Sequence, residues 1–289
     1  MTDQRYTATR KPLWQTEIPP VKTRLTDDGV LFLDFGKAAF GTLLVPSNCV
    51  GHQDKFIIHL GEQLSPEGFL ERFPAGAIRY IRIEQAPNKE KDNTRIIIPA
   101  NLRNMGPAAI KMPAETGEVF PFRYAEIENA KGIDPNAVRQ ICVHYPFADS
   151  ASSFECSDPI LNAVWDLCKY SIKATTFCGV YVDGDRERIP YEGDAYIQQL
   201  GHYCVDREYS LARYTHEYLI QHPTWPTEWQ IHSVMMAWAD YVYTGEITSL
   251  EAFYDDLRVK TLIGLGRKDG LINTESELCN RGFEERLHL

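Results

Sequence analysis

Carboxylates crowd one short stretch in the second half of the chain. Five of the twelve residues from 183 to 194 are Asp or Glu, and only Arg186 and Arg188 stand among them with the opposite charge. Cleavage of a glycosidic bond needs a protonated carboxyl that donates to the leaving oxygen, and a second carboxylate that acts as nucleophile or activates water. Crowded like charges raise a carboxyl pKa, whereas nearby arginines lower it. The stretch has the composition of a glycosidase site, and a solvated polar loop that caps a helix is the alternative.

Short segments rich in β-branched and aromatic residues fill the chain up to residue 149. Gly, Pro, Asn and Asp separate them, and no helical period lies between them, which predicts an antiparallel β-sandwich over residues 29–149. Residues 1–28 are polar and are predicted to be a lead-in or linker. The predicted strands are 30–36, 41–45, 55–60, 78–83, 94–98, 117–128 and 139–145.

The hydrophobic period changes after Asp149. Ser157-Asp158-Pro159 is typical of a helix start, with a hydroxyl cap and a proline in the first turn. Apolar residues then follow at helical spacing, and short connections separate further helical segments, so residues 150–289 are predicted to form an antiparallel helical array. The fold class is therefore multidomain, β followed by α. The further helices are predicted at about 193–205, 208–221, 229–244 and 249–267.

The order of residues in the acidic stretch resembles the signature of glycoside hydrolase family 78, the α-L-rhamnosidases. That signature is Asp-Cys-Pro, one or two variable residues, and then Arg-Glu-Arg-Leu-Gly-Trp-Thr-Gly-Asp-Ala. Here Asp183 is followed by the run 186–195, and the similarity extends over roughly residues 25–289. Further similar runs lie at 33–36, 61–68, 120–127 and 154–162.

The resemblance implies a concanavalin-like β-sandwich followed by an (α/α)6 barrel, and hydrolysis of terminal α-L-rhamnosides with inversion. Glu187 takes the position of the family's general acid. Asp183 and Asp194 match carboxylates that hold the sugar hydroxyls, and Arg186 falls in the arginine position before the acid. A rhamnose-containing carbohydrate is the partner that this resemblance implies.

Two positions depart from the family pattern. Tyr191 stands where the family has Trp, so an aromatic platform is retained in altered form, and Gly184-Asp185 replaces Cys-Pro. Rhamnose carries a methyl group, so its site should pair an apolar wall with acids for the hydroxyls. Trp225 and Trp229, near a helix start, are predicted to form that wall with Tyr191, whereas Trp238 in a helical apolar stripe is assigned to the core.

An inverting glycosidase also needs a base about 6.5–9.5 Å from the acid. In the family the base is a Glu contributed late in the barrel, and no residue of this chain maps onto it. Twelve helices close such a barrel, whereas five or six are predicted here. The chain is therefore expected to be a fragment, truncated at both ends, with little or no hydrolase activity alone. Four late acids lack a supporting motif: Glu275, Glu277, Glu284 and Glu285.

Two other functions stay open at this point. One is a non-catalytic carbohydrate-binding or structural module, for which Glu62 and Arg79 of the β part are candidates. The other is a different sugar enzyme on the same barrel, such as a lyase or an unsaturated-uronide hydrolase. Substitution of Glu187 and substrate screening would separate these alternatives.

No pattern supports a metal or a cofactor. His216 and His222 are six residues apart rather than four, so they do not share a helix face as zinc-protease histidines do, and we predict surface histidines. Cys178 and Cys204 lack the partners of a thiol nucleophile and are predicted to pack in the core. The Gly264–Gly266 pair follows a helix rather than a strand, which argues against a dinucleotide site.

Composition excludes several classes of protein. With 30 basic and 40 acidic residues the net charge is −10, and no basic run offsets it, which argues against nucleic-acid binding. The apolar runs are too short for a membrane span. Seven scattered cysteines argue against a disulfide framework. The first 30 residues show no secretory signal, so the chain as given is expected in the cytoplasm, and a periplasmic or extracellular parent stays open.

Overall fold

The first part of the protein is an antiparallel sheet. A computed structural model describes residues 5–47 and 55–272. Its strands are β1 (Trp14–Ile18), β2 (Lys22–Leu25), β3 (Leu31–Pro46), β4 (Phe56–Gly61), β5 (Tyr80–Gln85), β6 (Asn93–Arg95), β7 (Phe120–Ile127) and β8 (Arg139–His144). Six of these described strands follow the order β1-β8-β3-β7-β4-β5, and β2 and β6 both pair with β3.

Strand β3 organises this sheet. It pairs with four strands, and its register with β7 shifts between Asp34 and Ala39. Gly36 lies in this bulge with a φ of 83°, a conformation that glycine adopts without a Cβ clash. The two strands predicted at 30–36 and 41–45 are thus one bulged strand. Antiparallel pairing is confirmed, and all the described strands are joined in one hydrogen-bonded network rather than in two separate sheets.

The core of the β part comes from alternate residues of its strands. Every second side chain of a strand points to the same face. Leu31, Leu33 and Phe35 of β3 are buried in this way and pack with Phe56, Ile58 and Leu60 of β4 in one hydrophobic cluster. The intervening residues Phe32 and Asp34 are buried as well, so both faces of β3 are covered over this stretch.

The predicted lead-in over residues 1–28 contains β1 and β2. Strand β1 pairs with β8, and β2 pairs with β3. Their side chains are mostly exposed, so backbone pairing rather than burial holds them. Polar strands of this kind lack the hydrophobic alternation by which a strand is recognised in a sequence.

The second part of the chain is helical, as predicted. The cap of the first helix is Asp158 rather than Ser157, because the Asp158 carboxylate accepts the Ile160 N–H at 2.8 Å. The helix predicted at 249–267 is divided into two short helices and a 3-10 turn at Ile263–Leu265. None of the described helices could cross a membrane. The helices are α1 (Pro159–Ala174), α2 (Glu192–Val205), α3 (Ser210–Gln221), α4 (Gln230–Thr244), α5 (Thr248–Ala252) and α6 (Tyr254–Lys260).

Buried side chains join the helical part to the sheet. Val143 of β8 packs in one cluster with Phe177, Val180 and Val182, which belong to the connection between α1 and α2. The Phe40 ring of β3 stacks on Phe177 with their centroids 3.8 Å apart. The connection 175–191, which carries most of the acidic stretch, therefore rests on the sheet.

Candidate active site

The acidic stretch is a tight loop that leads into α2. The Asp183 carboxylate accepts the Arg188 N–H and the Arg186 guanidinium N–H, both at 3.1 Å. The Asp183 N–H donates to the Ile189 carbonyl at 3.4 Å. Asp183 is thus nearly buried and closes the loop around Glu187, in addition to the sugar contact predicted for it.

Glu187 projects from this loop with a partly accessible carboxyl group. Its side chain is 41% exposed, so a substrate can reach it. The Tyr191 hydroxyl donates to Glu187 Oε2 at 2.7 Å, and the nearest Arg186 nitrogen lies 3.9 Å from the same oxygen. Oε1 is therefore the oxygen that these two neighbours leave for a bound molecule.

The carboxylates and the arginine of the candidate site act on one another electrostatically. Burial raises the pKa of Asp194, and the charge of Asp183 raises it further, while Arg186 opposes both effects. Arg186 also interacts with Glu187 and Tyr191. The structure thus brings together five of the predicted residues: Asp183, Arg186, Glu187, Tyr191 and Asp194.

An aromatic surface adjoins these residues. The rings of Tyr191 and Trp229 meet edge to face, with centroids 5.7 Å apart and an angle of 89°. Burial raises the pKa of Tyr191 to about 12, and the hydrogen bond to Glu187 adds to this effect, so the hydroxyl keeps the proton that it donates. Trp225 is 74% exposed. The assignment of Trp238 to the core is wrong, because this side chain is 64% exposed on α4.

The other two acids of the stretch face the protein interior. Glu192, at the start of α2, is fully buried and accepts hydrogen bonds from the Thr224 N–H at 3.0 Å, the Thr224 hydroxyl, and the Gln230 amide at 3.1 Å. Lys260 donates to the Gln230 Oε1 at 2.6 Å. Glu192 is therefore a structural acid of the helical part.

Asp185 binds groups from the β part. Arg79 donates to its carboxylate, and so do the Asn104 amide at 2.9 Å and Arg188 at 3.4 Å. Sequence reasoning noted Asp185 only as a departure from the family pattern. Its burial could not be read from its neighbours in the chain, because its partners lie 81 and 106 residues away.

Several residues near the patterns considered for other chemistry are buried and structural. Glu217 of α3, next to His216, is fully buried and accepts the N–H groups of Thr7 and Ala8 and the Ser249 hydroxyl. Cys178 is buried as predicted, and burial raises the pKa of its thiol to about 11, which opposes a nucleophilic role. Cys204, predicted in the core, is exposed. Among residues 5–47 and 55–272, no group of His, Cys, Asp and Glu could hold a metal ion.

His216 contradicts the prediction of surface histidines and has a consequence for stability. It is buried, whereas His222 is exposed as predicted. Burial lowers the pKa of His216 from 6.5 to about 3. Between these pH values the unfolded chain binds a proton that the folded chain does not, so stability falls as the pH decreases below about 6.5.

We expect His216 to contribute a slope of about 1.4 kcal/mol per pH unit over part of this range. Denaturant unfolding of the wild-type chain and of His216→Gln between pH 4 and pH 7 measures this slope. The variant should lose stability less steeply with acid. If stability changes with pH equally in the two proteins, His216 takes up its proton as readily in the folded chain as in the unfolded chain, which would contradict the prediction.

A family match covers the helical part of the chain. Residues 149–276 match the family model described as the bacterial alpha-L-rhamnosidase 6 hairpin glycosidase domain. A comparison with curated proteins found no match.

Solved structures of rhamnosidases share the fold. A rhamnosidase from Klebsiella oxytoca with rhamnose bound aligns with a TM-score of 0.60 at 13% identity, over 91% of this chain and 59% of that one. An α-L-rhamnosidase from Dictyoglumus thermophilum aligns with a TM-score of 0.66 at 18% identity, over 90% of this chain and 30% of that one. The Streptomyces avermitilis α-L-rhamnosidase complexed with L-rhamnose aligns with a TM-score of 0.61 at 16% identity, over 89% of this chain and 25% of that one.

This chain thus spans from a quarter to three fifths of the length of these three structures. They cover both the sheet and the helices, and the family match covers the acidic stretch and the helices on either side of it. The resemblance predicted from the sequence is confirmed: residues 149–276 are similar to the bacterial alpha-L-rhamnosidase 6 hairpin glycosidase domain, and the solved rhamnosidases share the fold of the sheet and the helices.

Proposed function

We propose that the chain carries the acid side of an inverting α-L-rhamnosidase-like site, which removes terminal α-L-rhamnose from glycans or glycosides. The observation that carries this proposal is the partly exposed Glu187 carboxyl, held by the Tyr191 hydroxyl beside Asp183 and Asp194. Two of the rhamnosidases with the same fold contain rhamnose, which supports a carbohydrate ligand.

In this proposal Glu187 is the general acid. Because Tyr191 donates to Oε2, we assign the transferable proton to Oε1. As the bond between the anomeric carbon and the glycosidic oxygen breaks, the proton passes to that oxygen, and the aglycone leaves as a neutral alcohol. Water attacks the opposite face of the sugar and gives its own proton to a base, so the product has the inverted configuration.

The neighbouring residues are assigned to sugar binding. Carboxylates accept hydrogen bonds from hydroxyl groups, and we assign this role to Asp194 and Asp183. The rings of Tyr191 and Trp229 offer an apolar wall for the methyl group of rhamnose. Trp225, which is more exposed, is placed at the outer edge of the sugar site.

We assign the base to none of the described carboxylates, because Asp183 and Asp194 belong to the same loop and helix start as Glu187 and are assigned to sugar binding. Glu275, Glu277, Glu284 and Glu285 lie outside the described residues. Without an assigned base, we expect this chain alone to hydrolyse aryl α-L-rhamnosides well below about 1 s⁻¹, the lower end of ordinary turnover numbers. Turnover at ordinary glycosidase rates would contradict this expectation.

Azide provides the test of the acid side, since it is an anionic nucleophile that needs no base. It should displace the aglycone from an aryl α-L-rhamnoside: the carbon–oxygen bond breaks, a carbon–nitrogen bond forms, and Glu187 protonates the leaving oxygen. NMR of the product should show β-L-rhamnosyl azide, as inversion requires. An α-L-rhamnosyl azide product, or a rate of aglycone release that azide does not increase at any concentration, would contradict the proposal.

A further inference from the structure

We propose that Asp185 and Arg188 are positioning residues that fasten the loop of Glu187 to the β part, so that the sheet holds the general acid in place. This inference rests on the function proposed for Glu187. The two residues flank Glu187 in the chain, and both bind segments more than 60 residues away.

Asp185 forms the first fastening. Its nearly buried carboxylate accepts hydrogen bonds from the Arg79 guanidinium and the Asn104 amide. Arg79 immediately precedes β5, and Asn104 lies between β6 and β7. Burial raises the pKa of Asp185, while Arg79, Arg188 and Asn104 lower it. Two guanidinium groups and an amide thus donate hydrogen bonds to this carboxylate.

Arg188 forms the second fastening. Its side chain is 1% exposed and donates to both oxygens of Glu118, at 3.0 and 3.3 Å. Its carbonyl accepts the Ile110 N–H at 2.9 Å. Its guanidinium lies over the Phe177 ring, 5.4 Å from the centroid and within the reach of about 6 Å of a cation–π contact. Residues on both sides of Glu187 are thus held by the segment between β6 and β7.

The backbone of the loop is adapted to these contacts. Arg188 has a φ of 58°, and Gly184 has a φ of 95°. A residue other than glycine in the left-handed region costs free energy and persists only where its surroundings fix it. The contacts of the Arg188 side chain hold its backbone in this conformation. Gly184 forms the turn that directs Asp185 inwards. A Cys-Pro pair in place of Gly184-Asp185 could not accept these three hydrogen bonds.

Placement of the acid matters because proton transfer requires hydrogen-bonding reach of about 2.6–3.2 Å. A displacement of about 1 Å can lower a rate about a hundredfold. Among the described residues, the polar partners of Glu187 are Tyr191 and Arg186, which belong to the same stretch. The contacts of Asp185 and Arg188 are therefore the ones that relate Glu187 to the rest of the protein.

Arg79→Met tests the inference, because it removes one donor and leaves Asp185 paired with Arg188 and Asn104. Arg82→Met is the matched control, since Arg82 is an exposed arginine three residues further on. In the azide reaction, we expect Arg79→Met to slow cleavage of a poor leaving group about ten- to a hundredfold. An activated aryl leaving group should lose less than about threefold, because it depends little on the acid. The KM should be unchanged, and Arg79→Lys should recover part of the rate.

A second variant and a second readout separate positioning from folding. Asn104→Ala removes a neutral hydrogen bond and should show the same leaving-group dependence in weaker form. Amide hydrogen exchange of peptide 183–191 should accelerate in Arg79→Met and not in Arg82→Met. Equal losses for good and poor leaving groups, or unchanged exchange, would overturn the positioning role alone. A wild-type chain without Glu187-dependent cleavage would instead overturn the proposed function, and the positioning role with it.

Discussion

Glu187→Gln should slow the azide-supported cleavage of an unactivated α-L-rhamnoside by about a hundred- to ten-thousandfold, the usual contribution of a general acid. The amide keeps the size and the polar contact with Tyr191 but cannot give up a proton to the glycosidic oxygen. The affinity for L-rhamnose should stay within about twofold of that of the wild-type chain, because Asp183, Asp194 and the aromatic wall are unchanged. Cleavage rates for a series of aryl rhamnosides, with rhamnose affinity from calorimetry, measure both effects.

Glu84→Gln is the control for this substitution. Glu84 lies on β5, and its side chain is 43% exposed, close to the 41% of Glu187. It should leave every rate unchanged. If Glu187→Gln retains sugar binding and the full rate, Glu187 is not the acid, and the chain is better described as a carbohydrate-binding module. Of the two candidates for that module, Glu62 accepts the Arg79 N–H at 2.8 Å, and the Arg79 side chain binds Asp185.

Glu192→Ala should destabilise the fold by about 3–5 kcal/mol, as loss of one partner from a buried charged network does. The substitution leaves the Thr224 and Gln230 donors without their acceptor. It also removes a charge that stabilises the Lys260 ammonium, whose pKa burial already lowers to about 8. Denaturant unfolding monitored by circular dichroism measures the loss, with the slope of the transition checked for two-state behaviour.

Two comparisons make this result specific. Glu228→Ala alters an exposed acid of the same region and should change stability by less than about 0.5 kcal/mol. In the Glu192→Ala/Lys260→Met double variant, the loss should be smaller than the sum of the single losses, because the network is then removed from both ends. Additive losses would mean that Glu192 and Lys260 do not interact.

For the acids at 183–194, the sequence predicted the kind of chemistry but not which side chains are buried. Their types predicted glycosidase chemistry, and their order indicated the family. Glu187, Asp185 and Glu192 are nevertheless indistinguishable by spacing alone. What separates them is burial, which depends on contacts with Arg79, Asn104 and Thr224 at distant positions in the chain. Long-range contacts of single polar residues leave no periodic signal in a sequence, whereas amphipathic helices do.

The same reasoning explains the outcome for the fold. The helices α2, α3 and α4 were predicted to within about two residues, because their apolar stripes repeat over three or more turns. Strands β1 and β2 were missed, since they are polar and depend on pairing with β8 and β3. Trp238 was assigned to the core from its apolar neighbours, yet in the described structure the face of α4 that carries it is exposed.

A crystal structure of the Glu187→Gln chain with an uncleaved α-L-rhamnoside tests the assignment of the acid most directly. The carboxamide of residue 187 should lie within about 3.2 Å of the glycosidic oxygen, with the sugar hydroxyls on Asp194 and the methyl group against Tyr191 and Trp229. A rhamnoside bound elsewhere on the protein, or bound here with residue 187 beyond hydrogen-bonding reach of that oxygen, would contradict it.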